Sequence, residues 1–222
     1  MRSVVVAILT AAALAAALPA AAQTSGRARI GFRAYGIVEG ESMLAEKSFK
    51  TILDTGEPTI SLVGAGGEVT NLWKGLFARV AFTTSSNKGS RVFVDSAGTA
   101  HKLNIPMTIE IMPLEIGAGW RFDLKRLKKI PVTFVPFAGA AILKQTYRET
   151  SDFSSPEENT DVVDTGRTVF GGVEIGIRMF KVGIEAQHRS LPDMLGTAGV
   201  SLAFNEKDLG GTVFRLTFGV GF

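Results

Sequence analysis

The chain has 222 residues, 24 of them basic and 21 acidic, with no cysteine, 45% hydrophobic and 20% charged residues. That is the size of one domain, and a mean hydropathy of +0.22 dispersed beyond the first residues excludes both a disordered chain and a helical membrane bundle. Glycine is abundant, 25 of 222 residues against a usual ~7%, Phe far outnumbers Tyr and Trp, and a formal charge of +3 gives no footprint for nucleic acid.

Residues 1–22 read as a secretory signal peptide. Arg2 supplies the positive start, Val4 to Leu18 the apolar stretch, and Ala20, Ala21 and Ala22 the small-residue cleavage site before Gln23. Pro19 and the alanines leave the stretch short and weakly hydrophobic for an anchor, which needs ~20 apolar residues. Cleavage removes Arg2 and leaves a domain over residues 23–222. That domain has no cysteine for lipid attachment or for a disulfide framework.

Period-two alternation then recurs along the chain. Ile30, Phe32 and Ala34 oppose Arg29, Gly31, Arg33 and Tyr35. A less regular segment over residues 60–69 sets Gly64, Gly66 and Glu68 on one face. Leu76, Ala78, Val80 and Phe82 oppose Phe77, Arg79, Ala81 and Thr83, and Leu114, Ile116, Ala118, Trp120 and Phe122 oppose Glu115, Gly117, Gly119 and Arg121. Residues 132–148 form a further segment in which Gly139 and Ala140 leave the face open. Val173, Ile175, Ile177 and Met179 oppose Gly172, Glu174, Gly176 and Arg178; Val182, Ile184 and Ala186 oppose Gly183, Glu185 and Gln187. Last, Phe214, Leu216, Phe218, Val220 and Phe222 oppose Arg215, Thr217, Gly219 and Gly221. Charge and glycine share one face and large apolar residues the other.

That makes eight strands, an even count that closes as an antiparallel barrel, with lipid outside and polar side chains inside. Odd connections run over residues 39–57, 95–100, 151–163 and 191–209; even ones over 71–74, 123–130 and the Phe180-Lys181 corner. Three of the four odd connections are long and every even one is short, as expected for extracellular loops and periplasmic turns. The third and fourth strands, residues 75–94 and 101–122, exceed the 9–11 or so residues a strand needs to cross a bilayer, so they are expected to project as a hairpin. Pro113 predicts a bulge that resets the face between Ile111 and Leu114, and Pro106 and Pro136 carry the same expectation.

The leader, the strands and the ending over residues 214–222 resemble the small OmpA/OmpX/OmpW-type outer-membrane β-barrels, over the whole mature chain. The alternating Phe214, Phe218 and terminal Phe222 are similar to the carboxyl-terminal signal by which the barrel-assembly machinery recognises its clients. Residues 135–141 and 171–176 resemble strand phrases of that broad family, with Ala141 in place of a glycine. The resemblance implies an eight-stranded antiparallel transmembrane β-barrel in the cell outer membrane, in contact with its lipid and lipopolysaccharide. Fold is inherited here more safely than mechanism.

The expected lumen collects Arg29, Arg33, Arg79, Arg121, Arg178, Arg189 and Arg215 with Glu68, Glu115, Glu174 and Glu185. Side chains fill the interior of an eight-stranded barrel, so a packed ion-pair network is the first reading and a narrow anion-favouring path the second. His188 and Ser190 share a face, with Glu206 in the next loop; this resembles the His-x-Ser pair of an outer-membrane lipid A deacylase and lacks the Asn that often follows the Ser. With only His101 and His188 and no cysteine, neither a metal site nor a cofactor is expected. The acidic stretch over residues 151–164 and the basic Lys125, Arg126, Lys128 and Lys129 read as solvated connections. Apolar residues in the first odd connection (Met43, Leu44, Phe49, Ile52, Leu53) and the fourth (Met194, Leu195, Val200, Leu202, Phe204) read as a cap over the barrel mouth or a cradle for a small hydrophobic ligand. The expected function is noncatalytic: envelope structure or surface interaction through the long loops. The alternative is OmpW-like passage of small hydrophobic molecules, ahead of a lipid A-modifying enzyme.

Overall fold

A computed structural model of the chain describes residues 30–122, 132–153, 159–196 and 199–221. The leader expected over residues 1–22, Arg29, the basic turn with Lys125, Arg126, Lys128 and Lys129, and Phe222 lie outside the described residues. Among those described, the strands are β1 (Gly31–Met43), β2 (Thr59–Trp73), β3 (Leu76–Val94), β4 (Ala100–Arg121), β5 (Val132–Thr150), β6 (Thr160–Ile177), β7 (Phe180–Ser190) and β8 (Gly211–Gly221). Two short helices, α1 (Glu46–Ile52) and α2 (Gly199–Ala203), sit in the connections after β1 and β7. Each strand pairs antiparallel with the next, and β1 pairs with β8, so the sheet closes into a barrel. Closure gives the backbone partners on both sides of every strand and leaves no edge, the condition for a sheet to sit in lipid.

The barrel is inside out over much of its height. Outward positions carry Phe32 and Val38 on β1, Val80 and Phe82 on β3, Ile116 and Trp120 on β4, Ile142 on β5, Val169 and Ile175 on β6, Val182 and Ile184 on β7, and Phe214, Leu216 and Phe218 on β8. All are exposed, up to 67% for Phe214. So continuous an apolar surface on a closed barrel is a lipid-facing belt. Trp73, Trp120, Phe122, Phe134 and Phe180 crowd the end with the short turns, as an interfacial aromatic girdle does. Together, belt and closed sheet make this a transmembrane β-barrel of the outer-membrane type.

At the other end each strand switches chemistry within one alternate position. Outward residues pass from Val38 to Gly40, Val63 to Ser61, Phe82 to Thr84, Met112 to Glu110, Ile142 to Lys144, Val169 to Arg167, Ala186 to His188 and Phe214 to Thr212. β7 and β8 stop just beyond this line after 11 residues each. The middle strands run on, β3 for 19 residues, β4 for 22, β5 for 19 and β6 for 18, and stand above the belt as a crown. The projection expected of one hairpin therefore involves two. Connections at the crown end span residues 44–58, 95–99, 151–159 and 191–210, while two at the other end are only residues 74–75 and 178–179.

Several local expectations need correction. β1 continues to Met43, so Glu39 and Glu41 belong to a strand and not to the first loop. The last short turn is Arg178-Met179, before Phe180-Lys181, with Arg178 in the left-handed region at φ 55. Pro113 makes no bulge: the β4 pairing with β5 runs through Pro113 and Gln145 in constant register, and the pairing with β3 resumes on the same register after it. The face does not reset, because Ile109, Ile111, Pro113 and Glu115 all point inward. Ile111 and Leu114 are both apolar because they lie where inner and outer faces exchange character. Pro136 likewise sits in unbroken register, whereas the β3–β4 slip falls between Ser90 and Val92, next to Pro106.

Candidate functional site

From the short-turn end upward, the lumen is filled in layers. In the first, Arg33 Nη1 lies 2.9 Å from Glu174 Oε2 and 3.5 Å from Glu68 Oε2. Arg121 reaches the same two carboxylates, Nη1 to Glu68 at 2.9 Å and Nη2 to Glu174 at 2.6 Å. Arg33 Nη2 also donates to Thr217 Oγ1 at 2.8 Å. Two arginines and two glutamates balance.

Beside it lie Phe77, Phe137 and Phe170, with ring centroids 6.2 to 6.4 Å apart in tilted and edge-on arrangements. Room for the rings comes from the facing strand: Phe137 is opposite Gly172 and Phe170 opposite Gly139. A Cβ on Gly139 would approach the Phe170 ring to 2.5 Å, and one on Gly172 the Phe137 ring to 2.9 Å. Inward glycine is thus the counterpart of inward phenylalanine, which accounts for part of the abundance of both. The rings touch both charged groups: the Arg79 guanidinium lies 3.4 Å from the Phe170 centroid, and that of Arg121 5.8 Å from Phe77.

The third layer is larger. Glu115 is its hub, taking Arg215 at 2.9 Å, Arg189 at 2.8 Å and Arg79 at 3.1 Å. Glu185 binds Arg79 at 2.8 Å. Glu39 bridges Arg215 Nε at 2.7 Å and Arg189 Nη2 at 2.8 Å, and Glu41 takes Arg189 Nη1 at 2.6 Å. The layer holds Arg79, Arg189 and Arg215 against Glu39, Glu41, Glu115 and Glu185. With the first layer, five arginines face six glutamates among the described residues, so these do not show the cation excess expected of an anion path. Glu39 and Glu41 reverse the balance. They were findable, since Arg33, Tyr35, Ile37, Glu39 and Glu41 keep one period of two, but paired glutamates ahead of a polar stretch look like the start of a loop.

Over this layer the filling changes to an ordinary hydrophobic core. Met43, Ala45, Phe49, Ile52, Leu53, Ile60, Leu62, Met107, Ile109, Ile111, Leu143, Tyr147, Leu191, Met194, Val200 and Leu209 form one buried cluster. It unites the upper barrel walls with α1, α2 and the loops that carry them. Glu206, expected near Ser190, is elsewhere: its carboxylate accepts from Lys47 N at 3.0 Å, Ser48 N at 2.8 Å and Ser48 Oγ at 2.6 Å. It therefore caps α1 from the fourth loop and fastens the two loops together. Beside this core a cavity of about 240 Å³ is bounded by Phe49, Ile52, Met107, Tyr147, Met194 and Val200 among others.

The remaining expected residues fall outside the lumen. Arg178 is exposed in its turn, because the strand ends one residue before it. Phe214 and Phe218 face outward in the belt. His188 and Ser190 also face outward, at its upper edge, and the acidic partner of Ser190 is Asp208 at 3.3 Å. Asp208 also accepts from the backbone of Leu191 at 2.9 Å and of Gly210 at 2.7 Å, which makes it a loop-closing residue. At the β3–β4 tip His101 lies 2.9 Å from Asp95; this bond, with backbone donors from Thr99 and Ala97, holds the Asp95 carboxyl below its usual range. Among the described residues no group of three or more His, Asp or Glu is placed to hold a metal ion.

These contacts close the tube. Arg189 and Leu143 are 0% exposed, Glu115 1% and Phe77 0%; an aqueous passage through their layers would leave them wetted. The charges are paired, as buried charges must be.

No protein-family model matches the chain, and no curated protein matches it. Among solved structures it is similar to the N-terminal β-barrel domain of OprF from Pseudomonas aeruginosa, at 11% identity over 86% of this chain and 97% of that one, TM-score 0.46. It is similar to the Neisserial surface protein A at 12% identity over 86% and 94%, TM-score 0.44. It is also similar to Ail, the attachment invasion locus protein of Yersinia pestis, at 14% identity over 86% and 99%, TM-score 0.43.

Proposed function

We propose that the chain is a noncatalytic outer-membrane protein with an envelope-structural or surface-interaction role, exercised through the crown and its loops. The observation that carries this reading is the filled lumen: ion pairs, rings and an apolar cap leave the tube sealed, so what the barrel offers its surroundings is its two outer surfaces. A rigid crown, built from four long strands and roofed by two fastened loops, is suited to contact at the cell surface. The leader over residues 1–22, with the domain over residues 23–222, belongs to this proposal as the export route. So does recognition of Phe214, Phe218 and Phe222 by the barrel-assembly machinery, and contact of the belt with outer-membrane lipid and lipopolysaccharide. The charged lumen residues are then scaffold: they hold the tube closed and carry no chemistry.

The test compares a host lacking the protein with hosts complemented by the full chain or by a chain in which the β3–β4 and β5–β6 hairpins are cut back to the belt. Both should shift in apparent size on heating before gel electrophoresis, as inserted barrels do. Only the full chain should restore detergent resistance or surface attachment. Full rescue by the trimmed barrel would overturn the reading. A second reading, passage of small hydrophobic molecules, draws support from the 240 Å³ cavity beside the cap. It requires uptake into vesicles that the Phe49→Trp change, which narrows that cavity, reduces.

A further inference from the structure

Eight outward positions, one per strand, stand first above the belt, and they are not alike. On β8, β1, β2 and β3 they are Thr212, Gly40, Ser61 and Thr84, all uncharged; on β4 the position is Glu110, which pairs with Arg148 at 3.5 Å. On the three consecutive strands β5, β6 and β7 they are Lys144, Arg167 and His188, all exposed. Register makes them neighbours. Lys144 is opposite Thr165 and Ile142 opposite Arg167, so Lys144 and Arg167 are diagonal partners; Arg167 is opposite Ser190 and Val169 opposite His188, so Arg167 and His188 are too. Diagonal neighbours on one face lie ~7–8 Å apart at Cα, within reach of long side chains.

Neither Lys144 nor Arg167 has an ion-pair partner among the described residues. This sets them apart from Arg148 on the same face, which is held between Glu110 and Asp161. Asp208, in the loop that follows Ser190, is engaged by Ser190 and by two backbone amides. Below the arc lie Ile142, Val169 and, beyond Ala186, Ile184, at 66%, 56% and 60% among the most exposed apolar residues of the belt. The surface is therefore amphipathic in a fixed order: aliphatic below, cationic at the level where hydrocarbon ends.

Resting on the reading of the chain as an outer-membrane barrel, we propose that the Lys144–Arg167–His188 sector is a binding site for one class of ligand, a phosphate-bearing lipid of the outer leaflet, phosphates on the arc and acyl chains against Ile142, Val169 and Ile184. A guanidinium and an ammonium side by side suit phosphate. Anionic headgroups gain from each basic residue at a membrane surface, and the uncharged sector over β8 to β3 offers no such gain. The lipid is thereby bound on one side of the barrel.

The experiment uses the complete mature barrel in detergent and native mass spectrometry with three probes: diphosphoryl lipid A, the same lipid with both phosphates removed, and inorganic phosphate. Wild type should retain diphosphoryl lipid A about tenfold or more over the dephosphorylated form. The double change Lys144→Gln with Arg167→Gln should lose that preference, and Arg148→Gln should keep it. Each variant is first checked for the heat-induced gel shift, which reads insertion and folding separately from lipid binding. Equal retention by the double variant, equal retention of the dephosphorylated lipid, or full displacement by millimolar inorganic phosphate would overturn the proposal. Failure of the barrel to shift on heating in wild type would instead remove the premise.

Discussion

One sheet encloses two interiors of opposite character. Inside the membrane the lumen is polar and the outer face greasy. Above it the lumen is the sixteen-residue apolar cluster of walls, α1 and α2, and the outer face carries Thr84, Ser86, Lys88, Thr146 and Arg148. β5 displays both regimes: Ile142 outside is succeeded by Lys144, while inside Gly139 and Ala141 give way to Leu143 and Tyr147. Each face answers its own solvent. Where lipid lies outside, apolar burial cannot distinguish in from out, and specific ion pairs and rings hold the lumen together. Where water lies outside, ordinary burial of apolar surface does so.

Ways to break this contrast rank by size. Removing the hub of the charged layer should cost most. Glu115→Leu leaves Arg79, Arg189 and Arg215 short of a buried partner and is expected to destabilise the barrel by about 3–5 kcal/mol, read as a lower urea midpoint for loss of the heat-resistant band. A charge on the belt comes next: Ile116→Lys should cost about 2–4 kcal/mol near the bilayer centre, whereas Thr84→Lys, one strand away and above the edge, should cost almost nothing.

The upper interior should fail separately from the lower. Phe49→Ala removes a ring from the cap and is expected to cost about 3 kcal/mol, seen as faster hydrogen exchange in residues 46–62 with the heat-shifted band unchanged. Glu206→Gln weakens three bonds at the start of α1 and should raise exchange of Lys47 and Ser48 amides alone, at about 1–2 kcal/mol. Acid gives the smallest effect. The Asp95 carboxyl is held below its usual range by His101 and the Thr99 and Ala97 amides, so the bonds at the β3–β4 tip are complete at neutral pH. They are lost as pH falls through that lowered value, and amide exchange at Thr99 should accelerate there with the barrel intact.

The belt was legible because a strand in lipid has a fixed period and a fixed solvent, so eight stretches and most inward charges could be read directly. The crown was harder. At the exchange of regimes both faces are apolar, as at Ile109, Ile111, Met112 and Leu114, and alternation vanishes where the strand continues unbroken; the expected bulge at Pro113 was a product of that. Glu39 and Glu41 were hidden because a charged strand end and a loop start have the same composition. Arg178 shows the reverse, since alternation carried one residue too far into a turn. Pairing across the barrel, such as Glu206 with α1 or Asp208 with Ser190, has no local signature and depends on closure.

The exchange of faces is the claim on which the rest depends, and the absence of cysteine makes it directly measurable. Single cysteines placed at the outward positions 138, 140, 142, 144, 146 and 148 of β5 would be spin-labelled in lipid vesicles and scored for access to oxygen and to a water-soluble nickel complex. Labels at 138 to 142 should favour oxygen and labels from 144 upward the nickel complex, with the change falling between Ile142 and Lys144. Uniform access to the nickel complex along all six positions would contradict the account, for it would put the whole outer face in water.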